Sequence, residues 1–467
     1  MSVSGEPVTS ARLRGRVRIS ESLGEARALR GEIVAWRDRW DTIDAMGGHL
    51  TQLDLLSTVV LGLVDEITRR IDAIDRAIGT GSVYEECRHE DFRLLHARRL
   101  WRWYADKLDQ RAGPPDDAVV LTLLSADELV WSCWKTAFTT LGGTLPAAPI
   151  PYLAPQFSAS ATPRTSPPPD LRPGLDDLLR RHIERLPVAV IGLPPICCRR
   201  PWWIILCAHE TSHHVQFELP CLEELTQEQV VAAAYGAGHD VELAEAWRPW
   251  CRELFADTCS VLLTGPAAIW AVGELEMRTP SGMRKSASDS YPPPLVRLSV
   301  LRVLAAQAGI PVGERAFLGQ AESDSAADDE RLQGLLTAVP AVASALLGLE
   351  SSEGRPLRSL ADTTTDAYRD GRIAGWRAEL LGADEPCPAR TLEAARFCAA
   401  AGVEAWVLFD GTDEGFGERL SGRMLGVLPR CREQGVRAAT AAPAAADVTQ
   451  QLVADLYQSG AVEMAAT

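Results

Sequence analysis

The chain has 467 residues, 46% of them hydrophobic, which is enough for more than one domain and too apolar for a disordered chain. A net charge of -16 excludes nucleic acid as the main partner, because neutralising phosphates takes a basic surface. Lysine occurs only at positions 107, 135 and 285 while arginine and alanine abound, a bias expected of a GC-rich bacterial coding sequence.

The opening "MSVSGEPVTSARLRGRV" has charges but no apolar region after them, so no secretory signal is expected. The apolar runs around Leu55–Val64 and Trp202–Ala208 are too short to cross a bilayer. Eleven cysteines without a Cys-x-x-Cys pair read as reduced, buried thiols. Together these predict a cytoplasmic protein without a membrane or nucleic-acid partner.

In chain order, residues 1–145 read as a helical N-terminal region. "ESLGEARALRGEIVAWRDRWDTI", "TQLDLLSTVVLGLVDEITRRIDAIDRAI" and "DFRLLHARRLWRWYADKLDQR" carry apolar residues at helical spacing. In the third, Trp101, Trp103 and Tyr104 form an aromatic core stripe and Arg98, Arg99 and Arg102 a solvated face.

Residues 146–310 read as the chemical core, entered through an irregular Pro-rich loop from Pro146 to Gly174. A short helix follows. "LPVAVIGLPP", Leu186–Pro195, is the clearest strand, and its bounding prolines predict an edge strand. Helices are expected at 202–217, 226–236 and from about 240 to Gly265, with a kink or restart near Pro249. Residues 311–467 form an alanine-rich helical C-terminal region, in which "DGTDEGFGERL" is a plain loop without the P-loop lysine. The fold class is therefore mainly α with a small β-sheet or edge strand, flanked by helical N- and C-terminal regions.

The chemistry is concentrated in "PWWIILCAHETSHHVQFELP", which contains His209-Glu210-Thr211-Ser212-His213. On a helix, His209 and His213 lie one turn apart on one face and can bind one Zn²⁺. Glu210 is turned partway round, where a general base reaches a water without binding the metal. The apolar residues upstream bury the helix and stiffen it. His214 points elsewhere and reads as structural. Gln216 and Leu219 stand where a third histidine ligand of one protease class would need Gly and His, so a carboxylate from a later helix is expected. "WRPWCRELFADTCSVLLTGPAA" offers Glu253 as that ligand, with Asp257 one turn on to accept the Nδ1–H of a ligand histidine. Glu242, Glu245 and His239 compete weakly, lacking an acidic partner in an apolar setting.

"HETSH" followed by "ELFAD" resembles the gluzincin-type zinc metallopeptidases. "SDSYPPPLVRLSVLRVL" is similar to the segment after the active site in their CAAX-protease and heat-shock-peptidase branch, with Tyr291 where that branch has His. The resemblance spans about Pro187 to Leu304. It implies a zincin-like metallopeptidase core, with Zn²⁺ held by His209, His213 and Glu253, and Glu210 as catalytic base. It also implies that a peptide docks by strand addition on Val188–Leu193. Tyr291, Arg297 and His214 are candidates to stabilise the oxyanion, Tyr291 first, because a phenol donates without a permanent charge.

The expected activity is that of a zinc metalloendopeptidase acting on a peptide or protein substrate, with the helical flanks gating the cleft or engaging a regulatory partner. The alternative is a non-catalytic, zinc-stabilised helical interaction protein.

Overall fold

A computed structural model of the chain describes residues 6–40, 48–74, 82–162, 188–277, 279, 281–286, 288–312, 329–433, 449, 450, 453 and 454. The fold is mainly helical with one small three-stranded sheet, as the sequence predicts. The chain divides into two compact units. One comprises residues 1–112, 164–188 and 441–467; the other comprises 113–163 and 189–440.

The described part of the first unit is built on α1 (Glu6–Trp40), α2 (Leu50–Ile74) and α3 (Val83–Leu108), each packed on the other two. Leu29, Ile33, Val59, Val60, Ile67 and Leu100 fill the space between them. Trp101, Trp103 and Tyr104 are buried as the aromatic stripe, while Arg98 and Arg102 pair with Glu32 at the surface.

The second unit begins with α4 (Ala118–Leu141), whose Asp117 caps the helix by accepting from the N–H groups of Val119 and Val120. The region read as an irregular loop then supplies two strands, β1 (Ile150–Leu153) and β2 (Ser160–Thr162). They flank β3 (Val190–Leu193), parallel on one side and antiparallel on the other. The predicted strand is thus the centre of the sheet, not its edge. Pro194 lies just past the strand and removes no donor from the ladder, so it bounds β3 without exposing it. The proline rule holds instead for the edge strand β1. Ile150 and Ala154 donate to the backbone carbonyls of Ala189 and Leu193, so the intervening Pro151 turns its ring nitrogen outward. Gly192 is required where the strands crowd, because a Cβ there would stand 2.9 Å from Ser160 Oγ. The helix expected between Gly174 and the strand, and residues 186 and 187 of the strand itself, lie outside the described residues.

Pro201–Ile205 forms a 3-10 turn that leads into α5 (Leu206–Glu218). Then follow α6 (Leu222–Gly236), the short α7 (Val241–Glu245), α8 (Cys251–Thr264), α9 (Pro266–Glu276) and α10 (Pro294–Gln307). The restart near Pro249 is a 3-10 turn, Arg248–Trp250. Beyond it come α11 (Glu330–Gly348), α12 (Asp362–Arg369), α13 (Arg372–Leu381), α14 (Ala394–Val407) and α15 (Phe416–Val427). Among the described residues, α11 is the one helix long and apolar enough to cross a bilayer; the sequence marks this stretch as one of the most apolar of the C-terminal region, though not as a span. Its Leu335, Val339, Val342 and Leu346 are buried, and the helix packs on α6 and α10.

α14 lies deep in this unit. Ala394, Ala395, Phe397, Cys398 and Ala399 are buried, and the helix packs on α4, α8 and α9. The small side chains let it approach closely. Its Arg396 is fully buried and donates from Nη1 to the Leu263 carbonyl at the end of α8, at 2.8 Å. Thr364 Oγ1 donates to the same carbonyl at 3.0 Å. The open C-terminal end of α8 is thereby satisfied. All eleven cysteines are unpaired.

Candidate metal centre

α5 is unusual in being buried on all sides while polar through its middle. Every residue from Leu206 to Gln216 is buried, including His209, Glu210, Thr211, Ser212, His213 and His214. A polar helix is tolerated there only where its groups find partners. Ser212 Oγ turns back onto the Ala208 carbonyl at 2.6 Å. His214 faces the sheet, its Nε2 3.3 Å from the Val190 carbonyl, so it takes no part in the centre.

α8 packs along α5 and brings Glu253 and Asp257 to the two histidines. His209 Nε2 lies 3.1 Å from His213 Nε2 and 3.3 Å from Glu253 Oε2. His213 Nε2 lies 3.5 Å from Glu253 Oε1. Ligands bound tetrahedrally at about 2.0–2.1 Å stand roughly 3.3 Å apart. The three side chains already form such a triangle, and they are a group that could hold a metal ion. Glu253 sits in the first turn of α8, where the helix dipole favours a carboxylate.

Asp257 stands behind His209. Its Oδ1 is 2.9 Å from His209 Nδ1, a position from which it would hold Nε2 toward the triangle once a metal displaced the proton there. Asp257 is held in turn by Arg297 on α10. Arg297 Nε reaches Asp257 Oδ2 at 2.7 Å and Nη2 reaches Oδ1 at 2.9 Å. Nη1 of the same guanidinium bonds Glu276 at 2.8 Å, and Nη2 lies 3.4 Å from Glu253. The buried centre thus has four carboxylates, Glu210, Glu253, Asp257 and Glu276, around one arginine. That excess of negative charge suits a divalent cation.

The ionisation pattern follows. Burial opposes a charge on His209, but Asp257 and Glu253 outweigh it and raise its pKa to about 10. Burial, reinforced by the charge on His209, lowers His213 to about 3. Of the two facing imidazoles only one takes a proton. Glu253 is held at about 2 against its burial by the two histidines and Arg297. Asp257 is depressed further against its own burial, chiefly by Arg297. Glu210 goes the other way. Burial and the neighbouring charge of Glu253 raise it to about 7, against the opposing pull of the charge on His209 and of the Ala161 backbone on β2. A carboxyl poised near neutrality is suited to proton transfer.

A cavity of about 310 Å³ opens beside the group, lined by His209, Glu210, Glu253, Tyr291 and Arg297 among others. The Tyr291 ring centre stands 5.2 Å from the Arg297 guanidinium carbon. Burial and the nearby Glu253 raise the phenol's pKa, so it stays protonated and can donate. Of the three side chains named as oxyanion candidates, Arg297 is engaged by carboxylates, His214 faces the sheet and Tyr291 lines the cavity. Glu242 and Glu245 lie apart from the group on α7, and Glu245 pairs with Arg248 at the surface. His239 lies just before that helix and belongs to no metal-holding group among the described residues.

The hub role of Arg297 and the part of Glu276 escaped the sequence reading. A signal existed in both cases, since each is one of only two charges in an otherwise apolar helix, beside Arg302 in "PLVRLSVLRVL" and beside Glu274 in "AAIWAVGELE". The Ala161 amide left no signal, because side-chain patterns do not show where a backbone group points. No family model, curated protein or solved structure matches this chain.

Proposed function

We propose that the protein is a zinc-dependent metallopeptidase of gluzincin type, with His209, His213 and Glu253 as ligands and Glu210 as general base. The observation that carries this is the pairing of the three-ligand triangle with a carboxylate from the same helix that stays outside the triangle yet lines the same cavity. Glu210 would be superfluous in a centre that only staples the fold, and this weighs against the scaffold alternative.

When bound, zinc would activate a water and stabilise the negative charge that develops on the carbonyl oxygen. Glu210, oriented by the Ala161 amide, takes one proton from the attacking water and passes it to the leaving amine. The peptide C–N bond breaks; water's hydroxyl ends on the acyl carbon and its proton on the amine. Tyr291 donates its O–H to the developing oxyanion. Asp257, held by Arg297, keeps His209 in the tautomer that presents Nε2. The substrate backbone pairs with the outer edge of β2, not with β3, whose two edges are both taken.

The test is metal analysis of purified protein together with cleavage of a peptide library with and without chelator. About one zinc per chain and chelator-sensitive cleavage are expected. Glu210→Gln should keep the zinc and lose at least about a hundredfold in turnover. Undiminished turnover in that variant removes the catalytic claim, and full zinc retention in Glu253→Ala removes the ligand set.

A further inference from the structure

The two histidines of the triangle are not equally supported. Asp257 stands behind His209, its Oδ1 2.9 Å from Nδ1. His213 is set just as deeply, yet among the described residues its Nδ1 is buried without a hydrogen-bond partner. A ligand histidine ordinarily gives its second ring nitrogen to a carboxylate, a carbonyl or a water. That bond fixes the rotation of the ring and leaves the other nitrogen free for the metal. A buried ring nitrogen with nothing to bond is also costly in its own right.

A second polar group on the same helix is in the same condition. Gln216 is 2% exposed, and among the described residues neither its Oε1 nor its Nε2 has a partner. A buried amide left this way is uncommon, since its donors and its acceptor have lost water and gained nothing. Gln216 comes three positions after His213 and seven after His209, which puts it on the ligand face of α5, one turn beyond His213. Side chains on a helix lean toward its N-terminus, so Gln216 covers the turn from which His213 projects. The nearby polar groups are engaged elsewhere. Ser212 bonds the Ala208 carbonyl, His214 faces the Val190 carbonyl, and Asp257 is shared by His209 and Arg297. Thr211 Oγ1 is partnerless as well, but it comes two residues before His213 and so points to the other side of the helix.

Resting on the metal-centre reading, we propose that Gln216 is the positioning residue of His213: its Oε1 accepts the Nδ1–H of that ring and holds Nε2 toward the triangle. Two orphaned groups on adjacent turns answer each other by rotation of one amide side chain. The centre then has a carboxylate behind one histidine and a neutral amide behind the other. The amide adds no charge to an interior that already holds four carboxylates.

The test replaces Gln216 by Met, which keeps the length of the side chain and removes the acceptor. Zinc affinity is measured by competition with a chromogenic chelator, and stability by urea unfolding of the metal-free protein. Gln216→Met should lose roughly 10–100-fold in zinc affinity. Its metal-free form should unfold at the same or a higher urea concentration, because an unanswered buried amide has been removed. Gln216→Glu, which restores an acceptor, should return affinity to within about threefold of wild type. Zinc loading of wild-type protein with isotope-labelled histidine should fix two slowly exchanging ring N–H protons in the magnetic resonance spectrum, one on each ligand. One of the two should be missing in Gln216→Met and present in Gln216→Glu. Finding only one in the wild type overturns the proposal without recourse to a variant. Full zinc affinity in Gln216→Met, with a raised unfolding midpoint, marks Gln216 as an unused buried amide and overturns it too, as does a loss that Gln216→Glu fails to recover. A wild-type protein that binds no zinc removes the metal reading itself; undiminished affinity in Gln216→Met removes this inference alone.

Discussion

The α1–α3 unit and the unit with the candidate metal centre use the same kinds of charged residue under opposite conditions. Arg30 and Asp65 meet with both side chains 53% exposed, and Arg102 meets Glu32 in water as well. Arg297 meets Asp257 and Glu276 with all three side chains at 8% exposure or less. An exposed pair exchanges one hydrated state for another and is replaceable. A buried set of charges is stable only as a complete set, since removing one member strands the rest. The second unit therefore carries a polar interior that simple packing would not select, and that interior coincides with the candidate centre.

The largest effect expected from this contrast is at Arg297. Arg297→Met should destabilise the unit with the candidate metal centre by about 3–5 kcal/mol, read as a shift in the urea or thermal unfolding transition, because three carboxylates lose their common partner. A loss below about 1 kcal/mol would put the buried network on the same footing as the surface pairs. Next in size is Asp257→Asn. It should leave the protein folded and weaken zinc binding roughly 10–100-fold, measured by competition with a chromogenic chelator. Wild-type affinity in that variant would detach Asp257 from the metal group.

A smaller effect is expected at β2. Ala161→Pro removes the backbone N–H whose pull favours the ionised form of Glu210, and proline is tolerated on an edge strand. Turnover should fall about tenfold with zinc content intact; equal turnover would show that Glu210 needs no such anchor. The smallest is Arg30→Ala, which should change stability by no more than about 1 kcal/mol in the same unfolding experiment. A larger loss there would erase the distinction between the two units from the other side.

Much of the centre was legible in the sequence, because helices place side chains by fixed spacing. His209 with His213 and Glu253 with Asp257 are each four apart, and that spacing alone puts each pair on one face. The mainly helical fold was legible for the same reason. The sheet was not. β1 and β2 are short and lie in a stretch rich in proline and serine, where alternation has no length to show itself. β3 was found, but its neighbours were not, and a strand's place in a sheet is decided by its neighbours. Arg297 was noticed only as a candidate oxyanion donor. Its actual partners come from two other helices, α8 and α9, and only tertiary packing brings them together.

The plug at the far end of α8 limits how the protein can be divided. The helix that supplies Glu253 and Asp257 finishes on a carbonyl satisfied by Arg396, 133 positions along the chain. Any gene fragment that keeps both motifs but stops before residue 396 removes that guanidinium. It leaves the Leu263 carbonyl short of a donor in an apolar interior and exposes the faces that α14 covers on α8 and α9. The motif-bearing segment is thus not a transferable cassette: what looks like a self-contained unit in one dimension is only part of one in three.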